Sequence, residues 1–248
     1  IEFVGPSKTY RKVSQTDIAA IEPTRLLVKE GEFVGVVGPS GCGKTTLLNL
    51  VAGLLQPTTG EIRFRGTRMT GPSREIGVVF QRPVLLPWRS ITDNVLLPVE
   101  VMHLSPKSKY ADRARELLAL VGLAGFEHTY PQELSGGMQQ RAAIARALVY
   151  DTALLLMDEP FAALDALTRE EMNMELLRIW QLTGKTIIFV THNIPEAVLL
   201  SDRIVVMTPR PGRVREIIDV DLPRPRSLSL MGDRRFGELA DHIRSLFK

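Results

Sequence analysis

Residues 32–54 read EFVGVVGPSGCGKTTLLNLVAGL, and this stretch decides the fold. Its first apolar run predicts a strand, a glycine-rich loop follows, and apolar residues then recur at helical spacing at Leu47, Leu50 and Leu54. The loop, residues 38–46, fits the pattern G-x-x-x-x-G-K-[ST], in which glycines let backbone N–H groups surround phosphate oxygens. Because a strand precedes this loop and a helix follows it, we predict that the segment binds the phosphates of ATP or GTP.

The residues of this loop have separate expected tasks. Lys44 supplies a positive charge to the β- and γ-phosphates, and Thr45 offers a hydroxyl to Mg²⁺. A second GKT at residues 184–186 lacks the required earlier glycine, since that position is Ile179, and is predicted to end a helix before a strand. The predicted nucleotide contacts of the loop are Gly38, Pro39, Ser40, Gly41, Cys42, Gly43, Lys44, Thr45 and Thr46.

Another apolar run, ALLLMDEP at residues 153–160, ends in two carboxylates. Strand alternation predicts that Asp158 and Glu159 point in different directions, so that one can hold Mg²⁺ while the other faces an attacking water as general base. We assign the Mg²⁺ role to Asp158 and the role of general base to Glu159. Taken alone, two acids after a strand also fit a helix cap, but the phosphate loop favours the catalytic interpretation.

Two further polar residues follow apolar runs. His192 comes after a predicted strand, and Gln81 comes after another. We expect both at the same edge of the sheet as Gly38 and Asp158, because parallel sheets place their ligand groups at one edge. There His192 would contact the γ-phosphate, and Gln81 would bind Mg²⁺ or the attacking water. No histidines pair at metal-ligand spacing, so we expect no transition metal held by the protein.

Apolar runs alternate with helical patterns along the chain, which predicts an α/β fold with a mostly parallel sheet covered on both faces. The C-terminal part is expected to form a hairpin with its turn at Gly212, and then an amphipathic helix whose apolar face contains Phe236, Leu239, Ile243 and Phe247. The expected regions are a β subdomain with the phosphate-loop part of the core (1–82), a helical subdomain (83–150), the rest of the catalytic core (151–208), and the hairpin and helix (209–248).

Composition limits the class of partner. The formal net charge is +3 over 248 residues, too small for a nucleic-acid groove, so we expect no nucleic-acid partner. Arginines become denser toward the C-terminus, and we expect them to form a solvated charged face, with proximity to anionic lipid as the alternative. The single cysteine, Cys42, excludes an internal disulfide and suits a reducing compartment. The apolar runs are too short to span a bilayer.

Residues 134–141, LSGGMQQR, predict a second anion site, because Ser135, Gly136 and Gly137 leave backbone N–H groups available where a helix begins. Together with the phosphate loop, Gln81, LLLMDEP, ALD at 163–165 and His192, in this order, the segment resembles the nucleotide-binding subunit of ATP-binding cassette (ABC) transporters. The resemblance covers almost the whole chain. It implies a P-loop NTPase (RecA-like) core with a mostly parallel sheet, an N-terminal antiparallel β region and an inserted α-helical subdomain.

The resemblance also implies how the two anion sites work together. Two copies, or this chain and a homologous subunit, would face each other head to tail with ATP and Mg²⁺ between them. Ser135, Gly136 and Gly137 would then bind the γ-phosphate on the phosphate loop of the other subunit. Asp165 would lie at the dimer seam, and Tyr10 would stack on adenine. Met138 stands where the commonest family signature has glutamine, and methionine cannot donate the hydrogen bonds of that side chain.

The type of cassette follows from two stretches, LLPWRSITDNVLLPVEV at 85–101 and RPGRVREIIDVDLPRPR at 210–226. They resemble bacterial ATPases that energise uptake of nitrate, sulfonates and taurine. This implies a peripheral subunit on the cytoplasmic face of the inner membrane, with transmembrane permease partners and an extracytoplasmic substrate-binding protein. Trp88 fits either a core residue or a groove that receives a permease helix. An exporter ATPase and a soluble ABC ATPase acting on macromolecules are the alternatives; a GTPase is disfavoured because no N-K-x-D motif is present.

Overall fold

The computed structural model describes residues 1–12 and 15–247, which form two compact units. The first unit consists of Ile1–Ser73 together with the chain from Lys185 to Phe247, and the second is Arg74–Gly184. Strands and helices occur in both units, in agreement with the α/β class that the sequence predicts. Within the described residues, no helix has the length and apolar character needed to cross a bilayer.

The strands and helices have the following bounds. The strands are β1 (Glu2–Lys12), β2 (Gln15–Ile21), β3 (Arg25–Leu27), β4 (Phe33–Val37), β5 (Thr59–Phe64), β6 (Thr67–Arg68), β7 (Ile76–Val79), β8 (Leu154–Asp158), β9 (Thr186–Thr191), β10 (Arg203–Met207) and β11 (Val214–Asp219). The helices are α1 (Lys44–Val51), α2 (Ile91–Val101), α3 (Lys107–Leu120), α4 (Gly136–Leu148), α5 (Ala166–Thr183), α6 (Ile194–Leu200) and α7 (Arg234–Ser245).

Two sets of strands form the sheets of the first unit. The N-terminal set is antiparallel, with the order β2-β1-β5-β6 and with β3 paired to the start of β1. The second set has the order β11-β10-β4-β9, in which β10, β4 and β9 are parallel and β11 is antiparallel to β10. Every residue of β4 and β9 is buried, as expected for parallel strands covered on both faces. Phe33 and Phe189 pack ring to ring between them, with centroids 5.9 Å apart.

Helix α1 follows the phosphate loop and is shorter than the sequence pattern predicts. Leu47 and Leu50 are buried as expected. The helix ends at Val51, however, and the chain turns at Gly53, which has a positive φ of 72°. Leu54 therefore lies beyond the helix and is exposed, so its assignment to the apolar helical face was wrong.

The C-terminal part of the first unit confirms the predicted hairpin and helix and corrects two details. β10 and β11 form the hairpin, α7 packs on α6, and Phe236, Leu239 and Ile243 of α7 are buried. Phe247 lies after the end of α7 and is 37% exposed, so it does not belong to the apolar face of the helix.

Some of the arginines near the C-terminus are buried or paired with acidic residues. This contradicts the expectation that they form a solvated charged face. Arg226 is only 3% exposed, and burial lowers its pKa to about 10. Arg224 forms an ion pair with Asp202 at 2.7 Å, and Arg203 pairs with Glu32. The two guanidinium η-nitrogens of Arg226 donate to the carbonyls of Val198, Leu199, Ser201, Val220 and Leu222. Three of these acceptors lie at the carboxyl end of α6, where a positive charge is favourable.

The second unit contains the parallel pair β7 and β8 and the helices α2 to α5. A buried amide, Asn94 on α2, organises the loop that precedes this helix. Its side chain accepts from the Leu86 amide at 2.7 Å and donates to the carbonyls of Leu86, Arg89 and Ser90. This loop carries Trp88, which is 72% exposed. The interpretation of Trp88 as a core residue is therefore wrong.

Candidate nucleotide-binding site

The phosphate loop of the first unit ends at a helix start that is suited to an anion. Gly43 precedes α1 in the left-handed region, with φ 101°, and Gly41 has φ 75°. No side chain caps the first turn of α1, and that turn contains no acidic residue. The first N–H groups of a helix have no partner within the helix and carry a partial positive charge. The local backbone therefore fits a phosphate group.

Lys44 and Thr45 provide the side-chain groups that the sequence predicts for this site. Lys44 is buried, and its Nζ donates to the carbonyls of Gly38 at 2.8 Å and Pro39 at 3.3 Å. The ammonium is thus held against the two residues that open the loop. Thr45, the next residue of α1, is exposed, and its hydroxyl is the type of hard oxygen ligand that Mg²⁺ prefers.

Tyr10 and His192 belong to the same unit as the loop. The Tyr10 hydroxyl lies 3.4 Å from Thr46 Oγ1, within hydrogen-bond distance. This partly exposed ring therefore contacts the first turn of α1. The ammonium of Lys8 lies 5.6 Å from the centre of the Tyr10 ring. Thr191 is paired with Val37, the last residue of β4, so His192 and Gly38 follow adjacent parallel strands at the same edge. The prediction that His192 shares an edge with Gly38 is confirmed.

In the second unit, Gln81 and the two carboxylates lie at one edge of the β7–β8 pair. Val79 is paired with Met157; Asp158 and Glu159 follow Met157 directly, and Gln81 follows Val79 after Phe80. Asp158 is the last residue of β8 and is half-buried, and Gln81 is exposed. The shared edge of Gln81 with Asp158 and Glu159 is therefore as predicted.

The prediction that strand alternation sets the direction of the Glu159 side chain was wrong. β8 ends at Asp158, so strand alternation does not extend to Glu159. Glu159 instead has a positive φ of 44°, which is uncommon for a residue with a side chain and is often found at functional sites. A local left-handed turn, rather than the pleat of the strand, sets the direction of this carboxylate.

The second predicted anion site lies at the start of α4. Ser135 caps the helix, and its Oγ accepts from the Met138 amide at 3.3 Å. Ser135 and Gly136 are exposed, Gly137 is buried, and the first turn contains no acidic residue. The amides of Gly136 and Gly137 belong to the first turn of this helix, so the backbone again fits an anion.

Gly137 connects this loop to Asp165. A Cβ atom at Gly137 would lie 2.9 Å from Cγ2 of Thr168, so the glycine allows α4 and α5 to approach closely. Thr168 donates from its amide to Asp165 Oδ1 at 3.0 Å and from its hydroxyl to Oδ2 at 2.7 Å. These bonds, that of the hydroxyl first, lower the pKa of Asp165. Asp165 therefore caps α5 as an ionised carboxylate, and its position depends on Thr168.

Helix α4 contains polar residues whose tasks the sequence analysis did not identify. Gln139 Nε2 donates to the carbonyls of Pro131 at 2.9 Å and Leu134 at 3.2 Å, which closes the loop before Ser135. Gln140 is buried and donates to the carbonyl of Phe80 at 3.2 Å, directly before Gln81.

Arg146, two turns further along α4, continues this pattern. Its guanidinium donates to the carbonyls of Pro83 and Val84, both at 2.8 Å, and burial lowers its pKa. Helix α4 therefore holds the backbone on both sides of Gln81. In the sequence, the only sign of these contacts is that α4 contains a glutamine and an arginine, Gln140 and Arg146. Their hydrogen-bond partners lie about 60 residues away in the chain, so the sequence does not identify them.

The chain is similar in sequence to a known protein family and to named members of it. A family profile described as ABC transporter matches residues 21–162. The chain is 47% identical over 228 residues to the aliphatic sulfonates import ATP-binding protein SsuB of Bacillus cereus, covering 92% of this chain and 88% of that protein. It is 48% identical over 218 residues to the taurine import ATP-binding protein TauB of Pelagibacter ubique, covering 88% and 81%.

Solved structures show the same fold. A dimeric, post-hydrolysis structure of the ATP-binding cassette MJ0796 with ADP and Pi superposes with a TM-score of 0.77 at 33% identity, covering 90% of this chain and 99% of that one. This similarity confirms the predicted class, a P-loop NTPase of the α/β type.

Proposed function

The chain belongs to the ABC transporter family and is an ATP-binding ATPase, and from this premise we propose that it drives import of a small solute of the sulfonate, taurine or nitrate type. The observation that carries the proposal is the identity of 47% and 48%, over about nine tenths of the chain, to two import ATPases. The proposed partners are a second copy or a homologous subunit, transmembrane permease subunits and an extracytoplasmic substrate-binding protein. The proposed location is the cytoplasmic face of the inner membrane.

ATP would bind first through the backbone of residues 38–46. The N–H groups of this loop and the buried ammonium of Lys44 provide the positive field that phosphates require. Tyr10, attached to Thr46, would provide a stacking surface for adenine. Thr45, Asp158 and Gln81 would hold Mg²⁺, which when bound neutralises charge on the β- and γ-phosphates.

Hydrolysis would then require a proton acceptor and donors around the γ-phosphate. We assign the acceptor role to Glu159, which takes a proton from the attacking water as the water oxygen forms its bond to the γ-phosphorus and the bond from this phosphorus to the bridging oxygen breaks, so that ADP leaves. His192 would donate a hydrogen bond to the γ-phosphate. The strained left-handed backbone of Glu159 supports this assignment, because such conformations concentrate at functional sites.

The proposed dimer explains why one chain carries two anion sites. Ser135, Gly136 and Gly137 at the start of α4 would complete the donors around the nucleotide on the other subunit. Charge develops on several oxygens of the transferred phosphoryl group, so donors on one side alone stabilise it incompletely. The dimeric form of the MJ0796 cassette with ADP and Pi supports this arrangement.

An exposed apolar surface of the second unit supports a permease partner. Trp88, Val84 and Phe80 are exposed on and beside the segment that follows Gln81, and Val101 is exposed at the end of α2. Neighbouring exposed apolar residues commonly mark protein–protein contacts. We propose that this surface receives a short cytoplasmic helix of the permease, so that movement of the segment near Gln81 is transmitted to the membrane.

The test is an affinity capture with Glu159→Gln, which should retain ATP but not hydrolyse it. Tagged Glu159→Gln, and Glu171→Gln as a control at an exposed acid on α5, are isolated from host membranes with ATP and Mg²⁺. We expect Glu159→Gln to lose at least about 100-fold in kcat, to form ATP-bound dimers and to recover a multi-span permease. Taurine, alkanesulfonates and nitrate are then compared for stimulation of the reconstituted parent ATPase. Rapid hydrolysis by Glu159→Gln would refute its role as base, and recovery of only soluble partners or DNA would refute transport.

A further inference from the structure

The turn between β10 and β11, residues 208–213, lies against the phosphate loop. A Cβ atom at Gly212 would lie only 1.9 Å from the carbonyl oxygen of Cys42. A Cβ atom at Gly38 would lie 3.1 Å from Cβ and from the carbonyl oxygen of Met207, the residue before the turn. The loop is therefore in close contact with the turn at Gly212 and with the end of β10 at Met207.

A side chain of the turn also binds the loop. Arg210 donates from Nε to the carbonyl of Gly41 at 3.3 Å, and its Nη2 lies 3.7 Å from the position of a Cβ at Gly41. Gly41 is a left-handed residue in the middle of the loop. A hydrogen bond from a charged donor is stronger than one between neutral groups, so it can hold this carbonyl in one orientation.

The turn is itself well fixed, which a supporting element must be. The Thr208 amide donates to the Arg213 carbonyl at 3.0 Å, and the Arg213 amide donates to Thr208 Oγ1 at 3.2 Å. The Gly212 amide donates to the carbonyl of Ala20 at 3.0 Å, and the Glu22 amide donates to the Gly212 carbonyl at 2.8 Å. The turn is thus joined to β2 on one side and to the phosphate loop on the other.

We propose that Arg210 is a positioning residue for nucleotide binding, which fixes the phosphate loop through the Gly41 carbonyl and adds a positive charge beside it. The proposal rests on the proposed role of residues 38–46 as the ATP site. Arg210 would act through the loop and through its field, because a cation close to bound phosphates favours their binding. Its removal should weaken binding of ATP more than it slows the chemical step.

The experiment compares Arg210→Ala and Arg210→Lys with Arg213→Ala, which removes an exposed arginine of the same turn. Equilibrium binding of a fluorescent ATP analogue and steady-state ATPase rates are measured for each purified full chain. We expect Arg210→Ala to raise Kd and KM about fivefold while kcat at saturation changes less than twofold. Arg210→Lys should recover at least half of this loss, and Arg213→Ala should bind like the parent.

Two outcomes would overturn the proposal: parental Kd and KM in Arg210→Ala, or equal weakening by Arg213→Ala, which would indicate a general effect of surface charge. The thermal midpoint without nucleotide checks folding of each variant. If Arg210→Ala does not fold, Arg210→Gln replaces it, and a parental KM in that variant overturns the proposal equally. Failure of the parent to bind ATP would instead refute the proposed nucleotide site and is read from the parent titration alone.

Discussion

A substitution at Gly137 tests directly how the start of α4, residues 135–137, is connected to Asp165. In Gly137→Ala the new Cβ would lie 2.9 Å from Thr168 Cγ2, whereas ordinary contact begins at 3.4 Å. The difference, 3.4 minus 2.9, requires a displacement of 0.5 Å between α4 and the side chain of Thr168. Thr168 donates two hydrogen bonds to Asp165, so the displacement should be passed to that carboxylate.

The expected effect on stability is small and that on activity larger. Overpacking of this kind costs about 1–3 kcal/mol, and alanine recovers about 1 kcal/mol because its helix propensity is higher than that of glycine. The net loss of up to about 2 kcal/mol should lower the melting temperature by no more than about 8 °C. A misplacement of 1 Å in a catalytic arrangement can cost about 100-fold, so half of that distance predicts a loss of about tenfold in kcat.

The assay uses Thr168→Ser, which removes the contacting methyl and keeps the hydroxyl. ATPase rates at saturating ATP are measured for Gly137→Ala, Thr168→Ser and the double variant. We expect Thr168→Ser to be close to the parent and the double variant to recover at least threefold of the lost rate. If the double variant is as slow as Gly137→Ala, the new methyl acts on the nucleotide itself, and the coupling through Thr168 is refuted.

Two further predictions concern the surroundings of Gln81. Arg146→Met keeps most of the packing volume but removes two donors to loop carbonyls, and it should lower the free energy of unfolding by about 1–3 kcal/mol, measured from urea midpoints; an unchanged midpoint would show that these bonds contribute nothing. Trp88→Ala should leave the melting temperature and ATP binding unchanged while reducing stimulation of the ATPase by the permease several-fold, because the side chain is 72% exposed. Leu182→Ala, at a residue 65% exposed on α5, is the matched control, and an equal loss of stimulation there would contradict a specific docking role for Trp88.

Much of the candidate nucleotide site was predictable because its determinants are local. A phosphate loop needs glycines, a lysine and a helix start within nine residues, 38–46, and each of these leaves a mark in the sequence. The edge shared by Gly38 and His192 followed from the rule that ligand groups gather at one edge of a parallel sheet. The predicted hairpin around Gly212 was likewise readable from turn residues and apolar periodicity.

Other features were not readable, because they depend on which surfaces meet. Trp88 is exposed and Arg226 is buried, which is the opposite of what their residue types suggest. The loop held by Asn94 leaves the tryptophan side chain in solvent, and five carbonyls accept hydrogen bonds from the arginine. β8 ends at Asp158 and Glu159 follows in the left-handed region, and apolar periodicity marks neither of these features.

The sequence by itself therefore determined the α/β class, the position of the two loops predicted to bind anions and the residue types in them, because backbone conformation and helix or strand period are encoded by near neighbours. Only the tertiary structure decided what supports those loops. Arg210 reaches Gly41 across 169 residues, and Arg146 reaches Pro83 across 63. Gly137 leaves space for Thr168 of another helix. These pairs of residues come together because of how the folded elements pack. The pattern of residue types along the chain does not show which distant residues will be close in space.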